Sequence, residues 1–360
     1  MDTLRHIKPA TLEQAFDLRP VSDTIIEMSP GDNEYIPAPG NLRIPSESLQ
    51  TQIEYAHKPF IEANTQEIHL QHLKNECIIP VFSKDNEKTI SHQEFIEISQ
   101  NCISNIFPNH SISEPEIRVS HQIKGRTPGA IYKNVKDLLD HEKTIYYERM
   151  AFIVKIPAVT DIINGNELLL TIGGVRAYNQ ENLYNKKTFE KFKFFVGFQN
   201  KVCCNLCVWS DGFVDDLKVS SYEELKSKIF QVLNNYNAEK HLSEMKQFAG
   251  HSLTEHQFAQ LLGRTKLYQH LPKKEKLNIP LLQFTDGHIN TITKDYYEDE
   301  SFCRDNAGDI NLWNLYNLFT QANKSSYIDT FLDRNLNAFD FTKGIQQSLN
   351  GSSDYHWFLS

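Results

Sequence analysis

One window of the sequence concentrates positive charge without any acidic residue. Residues 117–136 carry five cations: Arg118, Lys124, Arg126, Lys133 and Lys136. The whole chain, in contrast, has a net charge of −9. Clustered lysines and arginines can contact nucleic-acid phosphates, or they can form a solvated face that acids elsewhere in the fold balance. The residues that we predict as phosphate contacts are Arg118, Lys124, Arg126, Lys133 and Arg176.

Two carboxylates near the end of the chain could take part in chemistry. Asp329 and Asp333 are four residues apart, so they share one face of a helix. A metal site needs more ligands than this helix supplies, so we interpret Asp329 as a charge favoured by the helix dipole and Asp333 as a solvated carboxylate near Arg334. An enzyme hypothesis would add His121 and Glu148, but nothing in the sequence places the four side chains together. We assign no catalytic residue and favour a function that is not enzymatic.

The six cysteines lack the regular spacing of a disulfide framework. Cys204 and Cys207 have C-x-x-C spacing, and Cys203 is adjacent. A structural zinc site usually needs a second ligand pair at similar spacing, and none follows closely. We therefore predict that these cysteines pack in the core as small apolar residues. The sequence also lacks P-loop, G-x-G-x-x-G, G-x-S-x-G and H-E-x-x-H motifs, so we predict neither a cofactor nor a bound metal.

The composition is typical of a globular protein in water. The chain has 360 residues, of which 40% are hydrophobic and 23% charged. No apolar run reaches the ~18 residues of a membrane span, and the first residues lack the apolar centre of a secretion signal. We therefore expect a cytoplasmic protein without a membrane partner.

Strand patterns precede helix patterns along the chain instead of alternating with them, which favours an α+β fold with an antiparallel sheet followed by a helical C-terminal part. Frequent prolines in residues 1–65 indicate an extended or partly disordered arm. Residues 66–218 are predicted to form the β-rich part. Residues 219–360 are predicted to form helices packed on the sheet.

Within the β-rich part, residues 117–124 alternate as a half-exposed strand does. Gly125–Gly129 is predicted to be a turn, and Ala130–Leu139 a helix. A β-meander is predicted for residues 143–210, with a hairpin turn at Asn164–Gly165. Gly173 and Gly174 indicate a bulge or a close backbone approach.

Within the helical part, the apolar spacing of residues 312–334 predicts two helices around a turn at Ala322–Ser326. Asn323 or Ser325 is expected to cap the second of them. Thr254 begins a capping box, and Gly263 is predicted to end that helix.

Six separated motifs occur in the order that resembles one bacterial family, domain of unknown function family 3871. They are IRVSHQIKGRTPGAI, TIYYERMAF, GGVRAYNQENLY, FVGFQNKVCCNLC, LTEHQFAQLLGR and LWNLYNLFTQANKSSYIDTFLDR. The resemblance covers roughly residues 65 to 359. It implies a phage- or plasmid-like protein of mobile elements, and it implies no catalytic residues.

Two functional hypotheses follow. The first is a nucleic-acid-binding protein of the single-strand binding or annealing type, in which aromatic strands stack bases and cations meet phosphates. The second is a protein-interaction module that inhibits a host DNA-acting or defence factor. The net charge of −9 suits a partner with a basic surface.

Overall fold

The computed structural model of the chain describes residues 58–79, 89–181, 189–351 and 354–360. Its main sheet has six antiparallel strands that are neighbours in chain order. The strands are β1 (Gln66–Ile68), β2 (Glu116–Arg126), β3 (Lys143–Ile163), β4 (Asn166–Ala177), β5 (Glu190–Asn200) and β6 (Leu206–Val219). This meander followed by helices is the predicted α+β fold.

Two α-helices lie between β1 and β2, and the other described α-helices follow β6. The early helices are α1 (Leu70–Asn75) and α2 (His92–Ile106). The later helices are α3 (Tyr222–Asn235), α4 (Ala238–Phe248), α5 (Glu255–His270), α6 (Lys273–Lys276), α7 (Asp286–Glu298), α8 (Leu312–Asn323) and α9 (Ile328–Leu349). A small pair of strands, β7 (Ser252–Leu253) and β8 (Ile310–Asn311), joins the helical part. Of the described helices, none combines the length and apolar character of a membrane span.

Both faces of the sheet are covered by apolar side chains. The larger core cluster joins side chains of the sheet to those of α2, α3, α4 and α8. A smaller cluster on other strand residues includes Phe60, Ile61 and Phe331, and so brings in the start of α9. Since the larger cluster takes in residues on both sides of position 219, the β-rich and helical parts share one core.

The predicted turn and close approach in the meander are confirmed. Asn164 and Gly165 both have positive φ, 47° and 78°, which a two-residue hairpin loop of this kind requires. At Gly173 a Cβ atom would lie 2.1 Å from the carbonyl oxygen of Phe152 on β3. Glycine is therefore needed at this position because the neighbouring strand leaves no room for a side chain.

Two predictions about helix ends are wrong. The capping box of Thr254 and Gln257 begins α5 as predicted, but α5 continues through Gly263 to His270. The position that precedes α9 is Tyr327, which supplies no side-chain cap. Asn323, one of the predicted caps, instead donates a hydrogen bond to the carbonyl oxygen of Phe331 at 2.8 Å, so its amide links the turn to the body of α9.

Most of the predicted N-terminal arm, residues 1–57, lies outside the described residues. Its described end packs against the fold. Phe60 and Ile61 are buried in the smaller core cluster. The backbone N–H groups of Glu62 and Ala63 both donate to the carbonyl oxygen of Lys324, so residues 58–65 are part of the folded unit.

Candidate functional site

Arg176 does not lie on any surface. Its side chain is 0% exposed, and its guanidinium donates to Glu190, to Glu181 at 3.3 Å and to the carbonyl oxygen of Ile90. Burial alone would lower the pKa of Arg176, but Tyr178 and the two glutamates outweigh it and the pKa is raised. A phosphate has no access to this guanidinium, so the interpretation of Arg176 as a phosphate contact does not fit the fold.

Arg118 and Lys133 have internal partners. Arg118 donates to the hydroxyl of Thr65 and forms an ion pair with Glu67 at 3.4 Å. Lys133 forms an ion pair with Glu142. Their charges are balanced within the fold, which is the alternative that the sequence left open for this basic window.

Lys124 and Arg126 do lie together. They line a groove of about 830 Å³ at the end of the β2–β3 ribbon, which we call the basic groove. Its other lining residues come from β3, from the chain after α1 and from the segment between β2 and β3. They are Asn75, Glu76, Ile78, Gly125, Val135, Leu138, His141, Lys143, Thr144 and Ile145.

The segment between β2 and β3 is not the predicted helix Ala130–Leu139. It forms short 3₁₀ turns at Pro128–Ala130, Val135–Asp137 and Asp140–Glu142. The Arg126 guanidinium donates to the carbonyl oxygens of Ile131 and Lys133. Those carbonyls are thereby engaged by a side chain instead of by helical N–H groups, and the segment stays a compact loop.

This loop leaves apolar side chains in solvent. Ile131, Val135 and Leu139 are exposed, and Tyr132 is 99% exposed. Ile78, across the groove, is exposed as well. Of these side chains Ile78 and Val135 line the groove, and exposed apolar side chains bordered by polar groups are typical of interaction sites.

One buried polar atom in the groove has no partner. Thr144 lines the groove and is only 7% exposed, yet its Oγ1 atom makes no hydrogen bond among the described residues. A buried hydroxyl without a partner costs free energy of about 1–3 kcal/mol. The Oγ1 atom itself has almost no accessible surface, so a ligand group in the groove could supply the missing bond only if the groove wall shifts.

The groove keeps unbalanced positive charge. Among the described residues Lys124 forms no ion pair, and Arg126 bonds only to uncharged carbonyl oxygens. Lys143 pairs with the exposed Asp140 at 2.7 Å. Glu76, the acid in the lining, lies 3.2 Å from His72, which balances it only when the histidine is protonated. An anionic group would therefore find two cations without an acidic partner at the mouth of the groove.

A second cleft of equal size carries no such excess. It lies between the sheet and the end of α7 and also measures about 830 Å³. Three of its lysines are paired with glutamates: Lys155 with Glu116, Lys201 with Glu167 and Lys294 with Glu298. Its lining holds four lysines and four acids and so has no excess of positive charge, and we therefore take the basic groove as the candidate site.

The four residues of the enzyme hypothesis lie at three places in the fold. Asp329 lies 3.7 Å from Arg149, which also pairs with Glu148. Asp333 instead pairs with Lys193, which holds Asp215 at 3.0 Å as well. Asp333 is therefore not the solvated carboxylate near Arg334 that we predicted. His121 is exposed on β2, with its Nδ1 atom 3.0 Å from the Ser120 hydroxyl.

The carboxyl of Asp333 should give the fold a measurable pH dependence. Burial raises the pKa of Asp333 to about 6, against the opposing effect of Lys193. A raised pKa means that the folded state holds the proton more tightly, so this stabilisation is present below about pH 4 and is lost as the pH rises through about 6.

We predict that Asp333→Asn abolishes this dependence. Between about pH 4 and pH 7 the native chain should lose on the order of 1–2 kcal/mol more stability than the variant, since partial solvent access reduces the full value of ~3 kcal/mol. Urea unfolding at several pH values measures the difference, with Asp216→Asn as a matched exposed control. Parallel pH profiles of the native chain and the Asp333 variant would contradict the prediction.

The cysteines are free thiols in or beside the core. Cys203 and Cys207 are buried in the larger core cluster, as predicted, whereas Cys204 lies at the wall of the second cleft. Burial raises the pKa of Cys203 to about 12, which keeps it a thiol at neutral pH and a poor metal ligand. In the part of the chain that the structure describes, no group of three or more metal-ligating side chains converges.

Comparison with known proteins identifies the family of the chain. The model of a family described as "Domain of unknown function, B. Theta Gene description (DUF3871)" matches residues 48–359. This range includes the whole of the described fold and the basic groove. No curated protein and no solved structure matches the chain significantly.

Proposed function

The chain belongs to domain of unknown function family 3871, and from its basic groove we propose that it is a protein-interaction module. Its ligand in this proposal is a segment of a partner protein that carries both apolar and acidic side chains. The segment occupies the basic groove, where its acids meet Lys124 and Arg126 and its apolar side chains cover Val135, Leu138 and Ile145.

One observation carries this proposal. Among the described residues, the groove combines exposed apolar side chains with two cations, Lys124 and Arg126, that lack an acidic partner. A purely electrostatic site would not need the apolar wall, and a purely apolar site would not need the cations. Protein interfaces combine the two, with apolar groups and arginine at the centre and charge at the rim.

The groove favours a partner of opposite charge to the one that the net charge of the chain suggests. The chain as a whole carries −9, which suits a basic partner, whereas the groove itself favours an acidic segment. We place the module in the cytoplasm and in the mobile-element setting that the family resemblance implies. In that setting its partner would be a host DNA-acting or defence factor.

Single-stranded nucleic acid is the second candidate ligand. The almost fully exposed ring of Tyr132 could stack a base, and Lys124 and Arg126 could contact phosphates. Only two of the five predicted phosphate contacts lie in the groove, and one of those is bonded to its own loop. These facts favour the protein ligand.

Selection from a random peptide library displayed on phage, with the full chain as bait, tests the proposal. We expect enriched peptides to combine acidic and apolar residues. Lys124→Glu should weaken their binding by about tenfold or more, because charge reversal at this site costs at least ~1.4 kcal/mol. Lys274→Glu, the same change on an exposed lysine of α6, should leave the dissociation constant unchanged.

Two results of the peptide selection would contradict the proposal. An absence of enriched peptides, or peptides that bind both variants equally, would reject the groove as a protein-binding site. A labelled single-stranded oligonucleotide, titrated at several salt concentrations, serves as the second arm. Oligonucleotide binding that Lys124→Glu abolishes, without peptide enrichment, would favour the second candidate.

A further inference from the structure

We infer that the partner segment binds as an added β-strand along the outer edge of β2. This inference rests on the proposed protein-binding function and specifies the conformation of the ligand. The occupant is an extended segment whose backbone pairs with β2 and whose apolar and acidic side chains lie over the basic groove. Such strand addition is a recurring mode of peptide recognition.

The edge of β2 is open where the groove lies. β1 pairs with Ile117, Arg118 and Val119 and then leaves the edge. Over Ser120–Arg126 β2 pairs with β3 on one side, and among the described residues no strand lies on the other side. The unpaired edge and the groove meet at Lys124, Gly125 and Arg126.

Two hydrogen bonds show which backbone groups face this edge. In an antiparallel pair, the N–H and C=O groups of one residue point to the same side, and the side alternates along the strand. The carbonyl oxygen of Ile145 accepts a bond from the Ile78 N–H at 3.0 Å, on the side of β3 away from β2. Ile145 therefore does not bond to β2 at this position. Lys124, which lies opposite Ile145 in the register, likewise has its N–H and C=O groups turned away from β3.

The second bond agrees with the first. The N–H of Thr127 donates to the carbonyl oxygen of Glu142 at 2.9 Å, so position 127 faces β3 and its neighbour Arg126 faces outward. By the same alternation Gln122 faces outward. Gln122, Lys124 and Arg126 thus present three sets of backbone donors and acceptors to an incoming strand.

The conformation of His121 sets the limit of this edge. Its φ of 59° is left-handed, which interrupts the extended geometry that pairing needs. The regular pairing edge therefore runs from Gln122 to Arg126. A five-residue edge fits a short partner segment and is too short to support extensive sheet growth between copies.

Charge distinguishes the two edges of the sheet. The outer edge of β2 carries the cations Lys124 and Arg126, whereas the opposite edge strand β6 carries exposed Asp211 and two aspartates paired with lysines, Asp215 and Asp216. An acidic strand is attracted to the cations of β2 and meets no such excess of positive charge on β6. The segment therefore has one preferred edge on this sheet.

An N-methyl scan tests the inference with the strongest peptide from the phage selection and the full chain. N-methylation removes one backbone donor at a time. For strand addition, methylation at alternate positions should weaken binding by about tenfold, while the positions between them tolerate it. Lys274→Glu serves as the control chain for unspecific charge effects.

The outcomes separate the two proposals. If peptides are enriched and respond to Lys124→Glu but show no alternation under N-methylation, strand addition is overturned and the protein-binding function stands. If no peptide is enriched, both fail. Alternating sensitivity confined to three or fewer donors, matching the five-residue edge, supports the inference.

Discussion

Replacing Arg176 with methionine should lower the free energy of unfolding by about 3–5 kcal/mol, the cost of breaking a buried ion pair from one side. The variant keeps most of the volume of the side chain but leaves two acids without their partner. Glu181 and Glu190 are both largely buried and both bond to this guanidinium. Phe192 and Tyr178, whose rings lie 4.3 and 4.7 Å from the guanidinium carbon, would also lose a cation–π contact.

Urea unfolding of the native chain and the variant measures this loss. Lys201→Met breaks the exposed pair with Glu167 and should cost less than about 1 kcal/mol. Adding Glu181→Gln and Glu190→Gln to the methionine variant should restore part of the stability, because the unpaired charges are removed. An exposed ion pair contributes about 1 kcal/mol or less. If the free energy of unfolding of the methionine variant lies within about 1 kcal/mol of the native value, Arg176 is not a structural cation.

Gly173→Ala should destabilise the fold by about 3 kcal/mol, at the upper end of the usual cost of overpacking. The added Cβ atom would lie 2.1 Å from the carbonyl oxygen of Phe152 and 2.9 Å from the ring of Phe195. The first of these neighbours is backbone in the centre of the sheet, which cannot move without disturbing the pairing of β3 with β4.

A second glycine provides the matched control. Gly263 lies inside α5, and a Cβ atom there would meet nothing within 4 Å. Gly263→Ala should therefore stabilise the chain by about 0.5–1 kcal/mol, since alanine favours helices more than glycine does. Thermal unfolding monitored by circular dichroism compares the two variants. Equal effects, or a tolerated alanine at Gly173, would contradict the close approach of β3 and β4.

The meander and the start of α5 could be predicted because local chemistry determines them. The Asn164–Gly165 turn needs positive φ, and the box of Thr254 and Gln257 satisfies free N–H groups at a helix start. The start of α2 has the same local chemistry, a capping box of Ser91 and Glu94. Each of these signals depends on residues a few positions apart, so a single sequence contains it in full.

The site could be predicted only in part because its remaining features depend on distant residues. Ile131, Val135 and Leu138 have helical spacing, but the bonds of Arg126 to their loop give 3₁₀ turns instead. The burial of Arg176 results from Glu181, Glu190 and the backbone at Ile90, whose positions no local pattern reveals. The orphan hydroxyl of Thr144 has no signal in the sequence, since only the folded surroundings leave it without a partner.

Hydrogen–deuterium exchange of the full chain, with and without a selected peptide, tests the basic groove most directly. We predict slower exchange in residues 120–126 and 131–139 on binding, with unchanged exchange in β6. The Lys124→Glu chain should show no such protection at the same peptide concentration. Protection located in the second cleft or along β6, with the β2 edge and its loop unaffected, would contradict the basic groove as the binding site.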